Sequence, residues 1–259
     1  VDSAMGNGTL QVSSSSCLPD FEQVAKDVPG PRIYQLYLMG DQAWMDDTIE
    51  RAIAAGYIGF CLTVDTQVYS RRERDILKGY QPPGGSQAGW MGGDYQAKIT
   101  VDTIAHIKEK FDIAVFVKGV NVGADAERCI DAGADVVWVS NHGGRQLDHT
   151  RACIDALPEV AAAVAGRVPV IVDGGFMRGA DVLKGLCLGA DIVAMGRLAG
   201  LSMAAAGSAG LVKALKLVET ELRLSMALLG VADIADLNGE LVQRSEALGQ
   251  SNVLSAFPL

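Results

Sequence analysis

His142 and Arg145 lie in the run Val139-Ser140-Asn141-His142-Gly143-Gly144-Arg145-Gln146-Leu147-Asp148, and together they have the means for chemistry. An imidazole takes up a proton near neutral pH. A guanidinium grips a carboxylate through two parallel hydrogen bonds. The two glycines between them let the backbone approach a flat ligand closely. Just upstream, Gly133-Ala134-Asp135-Val136-Val137-Trp138-Val139 is a short β-branched apolar run opened by a turn signal, which predicts a buried strand. The loop beyond a strand's C-terminal end is where parallel α/β proteins bind ligands and do chemistry. Taken by themselves, the pair also fit a satisfied loop histidine beside a surface arginine.

The elements that must position such a loop recur along the chain. Apolar runs predict strands near Thr9–Ser13, Ile33–Leu38, Gly59–Val64, Ile113–Lys118, Asp135–Val139, Val168–Val172 and Asp191–Ala194. Helical patterns follow over Asp41–Ala55, Thr100–Phe111, Ala124–Ala132, Ile154–Ala165, Gly179–Leu188 and roughly Leu201–Leu229. This alternation predicts a single α/β domain over 1–259, a TIM-type barrel with about seven βα units where a closed barrel has eight. An internal repeat supports it: Gly123-Ala124-Asp125 and Gly133-Ala134-Asp135 recur as Gly179-Ala180-Asp181 and Gly189-Ala190-Asp191. Asp75–Lys98, rich in Gly and Pro and without a period, reads as a lid over the site or as a disordered surface insertion.

A parallel barrel gathers its strand ends on one face, and these ends carry polar groups. They are Ser14 and Ser15; Gln35 and Tyr37; Thr63, Asp65 and Arg72; Lys118; His142 and Arg145; Asp173-Gly174-Gly175; and Gly196-Arg197. The last two groups, with Arg178 opening the next helix, resemble the phosphate site that barrels build between their final strands. Many phosphate-binding barrels share that pattern with or without flavin, and a glycine turn without a ligand is the alternative.

The composition describes a globular protein: 49% hydrophobic and 20% charged residues in 259. A net charge of −9 argues against nucleic acid as a partner. The five cysteines (Cys17, Cys61, Cys129, Cys153, Cys187) show no metal-ligand spacing, and three histidines without a paired motif leave no metal site to expect. No signal peptide and no membrane span is evident in the sequence, so the cytoplasm is the expected location.

Ser140-Asn141-His142-Gly143-Gly144-Arg145-Gln146-Leu147-Asp148 also resembles the signature of the FMN-dependent 2-hydroxy-acid oxidase/dehydrogenase family. Gln35-Leu36-Tyr37, Leu62-Thr63-Val64-Asp65-Thr66 with Arg71-Arg72-Glu73, Val117-Lys118-Gly119 and Asp173-Gly174-Gly175 look like its other motifs in order, from about Ala4 to Asn238. The resemblance implies oxidation of a small 2-hydroxy acid to the 2-oxo acid by bound FMN. It implies the phosphate on Gly175, Arg178, Gly196 and Arg197, and the ribityl chain near Asp173. Ser15, Gln35 and Thr63 would meet the ring edge, with Ser140 and Gly174 also on the cofactor. Lys118 would stabilise the anionic reduced flavin. Arg145 and Arg72 would hold the substrate carboxylate, Tyr37 would hydrogen-bond substrate, His142 would take the proton and Asp65 would stabilise the imidazolium.

Gln67 departs from the family's usual proline and Ser16 from a bulky aromatic, which bears on substrate size. Family members also carry an N-terminal segment with the first barrel strand, so a chain lacking one βα unit, and self-association to cover its open edges, are expected. A flavin-dependent isomerase, and an inactive or partner-completed FMN-binding fragment, are the competing readings. Hydride or carbanion transfer, and reoxidation by oxygen, a quinone or a cytochrome, are all compatible with these residues.

Overall fold

A computed structural model describes residues 8–68, 70, 72–80 and 95–245. Seven strands, β1 (Gln11–Ser14), β2 (Arg32–Leu36), β3 (Gly59–Thr63), β4 (Ala114–Val120), β5 (Val136–Val139), β6 (Val170–Val172) and β7 (Ile192–Val193), form one sheet in chain order. All six pairings are parallel. The helices are α1 (Phe21–Asp27), α2 (Gln42–Ala54), α3 (Glu73–Leu77), α4 (Val101–Lys110), α5 (Gly123–Asp131), α6 (Cys153–Val164), α7 (Gly179–Cys187) and α8 (Arg197–Leu229). Among the described residues this is the TIM-barrel architecture with seven strands in place of eight. Among the described residues β1 pairs only with β2 and β7 only with β6, so the barrel is open between them.

Alternation along each strand divides the sheet into two faces. One face, with Leu36, Leu62, Val115, Val117, Val137, Val139 and Val172, packs on helix residues such as Ile49, Ile104, Ala126 and Leu157. The other, with Ile33, Cys61, Phe116, Val136, Trp138 and Ile171, forms a smaller cluster inside the barrel. Gly59 is bare for a steric reason: a Cβ there would stand 2.5 Å from the Phe116 ring. Register then carries polar residues upward on the inner face. Gln35 pairs with Cys61, Thr63 with Lys118, and Lys118 with Trp138.

The sequence repeat has a structural meaning. Asp135 Oδ2 accepts from Val115 N at 2.7 Å and Asp191 Oδ2 from Val170 N at 2.7 Å, each carboxylate tying its strand to the preceding one. Gly123 N donates to Glu159 at 2.9 Å and Gly179 N to Glu221 at 2.8 Å, so each helix start is held by a glutamate of the next helix. Neither glycine has room for a side chain, Gly179 least of all, because its Cβ would stand 2.3 Å from Leu222 N.

Three sequence expectations need adjustment. Helix α1 was not foreseen, although Asp20 caps it by accepting from Gln23 N at 2.9 Å; a seven-residue helix shows too little period to be read. The segment expected to be a structureless lid begins inside α3 and ends in a 3-10 turn at Gln96–Lys98, while 81–94 lie outside the described residues. Helix α8 starts at Arg197 and breaks at Ala206 (φ −155°) and Gly207 (φ +58°). By length and composition α8 could cross a bilayer, although no membrane span is expected from the sequence. Here it packs on α7 through Met226 and Leu222 against Leu183 and Cys187.

Candidate active site

The loop after β5 brings His142 into the barrel mouth by an unusual backbone. His142 (φ +56°), Gly143 (φ +66°) and Gly144 (φ +74°) are consecutive left-handed residues. A side chain with a Cβ rarely adopts this region, and such strain persists only where neighbours enforce it. Asn141 Oδ1 accepts from Gly144 N at 3.1 Å, and Ser140 Oγ accepts from His142 N at 3.2 Å. The imidazole is thereby set between two groups from other strands: Nδ1 lies 3.2 Å from Asp65 Oδ1 and Nε2 lies 3.2 Å from the Tyr37 hydroxyl. A carboxylate only accepts, so the consistent arrangement has Nδ1–H donating to Asp65 and Nε2 carrying the lone pair. Burial pushes the Tyr37 hydroxyl above its ordinary pKa, against the opposing pull of Gln35 and Lys118, so it remains a donor.

Asp65 is fitted into the strand next door. Gly119 (φ +114°) sits where the β4–β5 register shifts, and a Cβ there would stand 2.7 Å from Asp65 Cβ. The buried Asp65 Oδ2 has no protein partner among the described residues, which leaves an acceptor at the site.

Below this corner lies a second network. Lys118 Nζ donates to Ser140 Oγ at 3.0 Å and stands 3.7 Å from Asp173 Oδ2. Ser140 Oγ (3.0 Å) and Trp138 Nε1 (3.1 Å) both donate to Asp173. Burial opposes the charge on Lys118, but Asp173 and Asp65 outweigh it and hold its pKa above the usual lysine value. Gln35 Nε2 donates to Thr63 Oγ1 at 2.6 Å, and Ser15 Oγ accepts from Tyr37 N at 3.1 Å.

The arginines divide. Arg72 donates to Gln146 Oε1 at 2.8 Å and Arg145 to Asp75 Oδ2 at 2.9 Å, which ties the loops after β3 and β5 together. Gly174 and Gly175 both take φ +95°, and nothing lies within 4 Å of where a side chain on Gly175 or Gly196 would project. Arg197 reaches back over the His142 loop, its Nη2 3.2 Å from a Cβ built on Gly143. Arg178, expected beside the glycine turn, instead pairs with Glu221 on α8, Nε at 2.8 Å from Oε1.

Residues that the sequence reading missed hold the rest in place. Gln96, 1% exposed, donates to Thr63 O (2.7 Å) and Thr66 Oγ1 (3.0 Å) and accepts from Leu38 N (2.6 Å). One amide thus fixes the backbone beside both Tyr37 and Asp65. Asn121 donates to Ser140 O. A lone polar residue outside any motif gives no sequence signal for such a role.

A family model for FMN-dependent dehydrogenases matches residues 1–244. Glycolate oxidase 1 of Zea mays is 35% identical over 98% of this chain and 73% of its own length. L-lactate oxidase of a Nostoc species is 35% identical over 91% of this chain and 71% of its own. Among solved structures, a mandelate oxidase with benzoyl-formic acid superposes with a TM-score of 0.83 at 35% identity, over 90% of this chain and 69% of that one. An active mutant of (S)-mandelate dehydrogenase gives 0.87 at 30% identity, over 94% and 74%.

Proposed function

This chain belongs to the FMN-dependent dehydrogenase family, and we propose that it oxidises a small 2-hydroxy acid to the 2-oxo acid with His142 as the base. The observation that supports the reading is the Tyr37–His142–Asp65 contact, in which Nδ1 meets a carboxylate and Nε2 is left with its lone pair toward the Tyr37 hydroxyl. Bound FMN supplies the two-electron acceptor that the side chains lack.

The residues present fit that cofactor. The open positions at Gly175 and Gly196 leave room for a phosphate against backbone, and Arg197 adds a cation. Lys118, held charged by Asp173, suits the N1/O2 edge of an isoalloxazine that gains negative charge. Ser15, Gln35, Thr63 and Ser140 provide hydrogen-bonding groups around the same space, with Gly174 completing the turn. Arg178 contributes to the phosphate site only if it leaves Glu221, and that contact argues for Arg197 as the principal cation.

His142 Nε2 takes the proton from the substrate, and Asp65, 3.2 Å from Nδ1, stabilises the resulting cation and keeps the ring turned. Tyr37 donates from its hydroxyl to the substrate oxygen once the substrate displaces its contact with Nε2. Arg145 and Arg72 hold the carboxylate, so the 2-carbon is presented to the imidazole.

The test is anaerobic mixing of the FMN-loaded protein with several 2-hydroxy acids while flavin absorbance is followed. At least one acid is expected to bleach the flavin, and His142→Ala to slow that step by about 10²–10⁴-fold without loss of FMN. Bound FMN that no 2-hydroxy acid bleaches would overturn the reading.

A further inference from the structure

Arg145 is half exposed, and a long guanidinium side chain on a loop samples many rotamers unless something holds it. Its tether is Asp75 on α3. Asp75 takes one terminal nitrogen of Arg145 through one oxygen, at 2.9 Å, and no second contact joins the two side chains among the described residues. The anchor is firm: the Asp75 side chain is 19% exposed, its N–H donates to Arg72 O at 3.0 Å, and its carbonyl accepts from Tyr80 N at 2.9 Å. Around it, Ser70 Oγ donates to Arg145 O and Gln146 Nε2 donates to Val68 O at 3.0 Å, so the backbone of the 142–146 loop is pinned to the same segment.

A guanidinium held by one corner keeps its remaining edge for the paired contacts that a carboxylate makes. We propose that Asp75 is the positioning residue for Arg145, presenting that edge to the substrate and so setting the preference for a charged carboxylate over its neutral derivative. This rests on the reading of Arg145 as the carboxylate clamp. The negative charge of Asp75 also repels an incoming anion, but solvent around the half-exposed guanidinium screens that repulsion, so orientation outweighs it.

Calorimetry on the FMN-loaded protein tests this with benzoylformate and its methyl ester as probes. Asp75→Ala is expected to weaken benzoylformate by about tenfold and leave the ester unchanged, and Asp75→Asn, which keeps an acceptor oxygen, to fall between. KM for a 2-hydroxy acid rises in step while kcat stays within about twofold. Equal loss for acid and ester would make Asp75 merely structural and overturn the proposal. Tighter acid binding in either variant would overturn it too, because the pair would then be a latch that competes with substrate. A wild type that binds no acid removes the carboxylate-clamp reading itself, a result distinct from a wild type that binds it and variants that bind it equally well.

Discussion

On one side of the barrel mouth, Tyr37, His142 and Asp65 come from the ends of three different strands and meet within hydrogen-bonding distance. On the other, Arg178 stands three residues beyond Gly175 in the chain yet turns to Glu221 on a neighbouring helix. Chain proximity placed the arginine near the turn, but a capping side chain on an exposed helix start takes the nearest carboxylate. Strand-end residues have less choice. Register fixes which of them face inward, and the pairing of Thr63 with Lys118 and of Lys118 with Trp138 leaves few alternatives.

The sharpest way to break the ordered side is Gly119→Ala. The new Cβ collides with Asp65 and the residue must hold φ +114°, so turnover should fall about a hundredfold as Asp65 leaves His142. Backbone strain adds about 1–3 kcal/mol of lost stability, read as a lower Tm. Gly144→Ala is the control, since φ +74° there strains the chain but nothing lies within 4 Å of the new Cβ. If both variants lose turnover equally, displacement of Asp65 is not the cause.

Asp173→Asn probes the layer beneath. Burial lowers the Lys118 pKa, and Asp173 and Asp65 more than restore it, so in the folded protein it lies above its unfolded value. The stability this gives is complete below the usual lysine range and is lost as pH rises through the folded value. Without Asp173, burial should prevail, and the alkaline limb of flavin reduction should move to lower pH. An alkaline limb that stays in place would show that Asp65 alone sustains the charge.

The smallest effect separates the two arginines. Arg197→Ala should weaken FMN about tenfold by fluorescence titration, whereas Arg178→Ala should leave FMN affinity within about twofold. The Arg178 variant should instead lower Tm slightly, because its exposed pair with Glu221 is screened by solvent. Equal weakening of FMN by both would bring Arg178 back into the phosphate site.

Much of the fold is legible in the sequence. The β-branched runs around Val115, Val137 and Ile171 lie within the strands they predicted, and the Gly-Ala-Asp repeat marked two matching βα units. Periodicity records which face of an element is buried, and that depends on local sequence. Helix α1 was too short to show a period, and the break in α8 at Ala206–Gly207 lies inside an unbroken apolar pattern.

The candidate site is legible as a set of residue types, because a histidine, an arginine and glycines at fixed spacing constrain chemistry more than most loops do. Their partners were not. Gln96 reaches Leu38, Thr63 and Thr66 across the fold, Asp75 meets Arg145 seventy residues away, and Gly119 makes room for Asp65. The sequence alone determined the parallel strands, the inward polar positions and the candidate base. Tertiary structure decided which donor meets which acceptor, because a hydrogen bond depends on distances of a few tenths of an ångström between groups that local pattern does not relate.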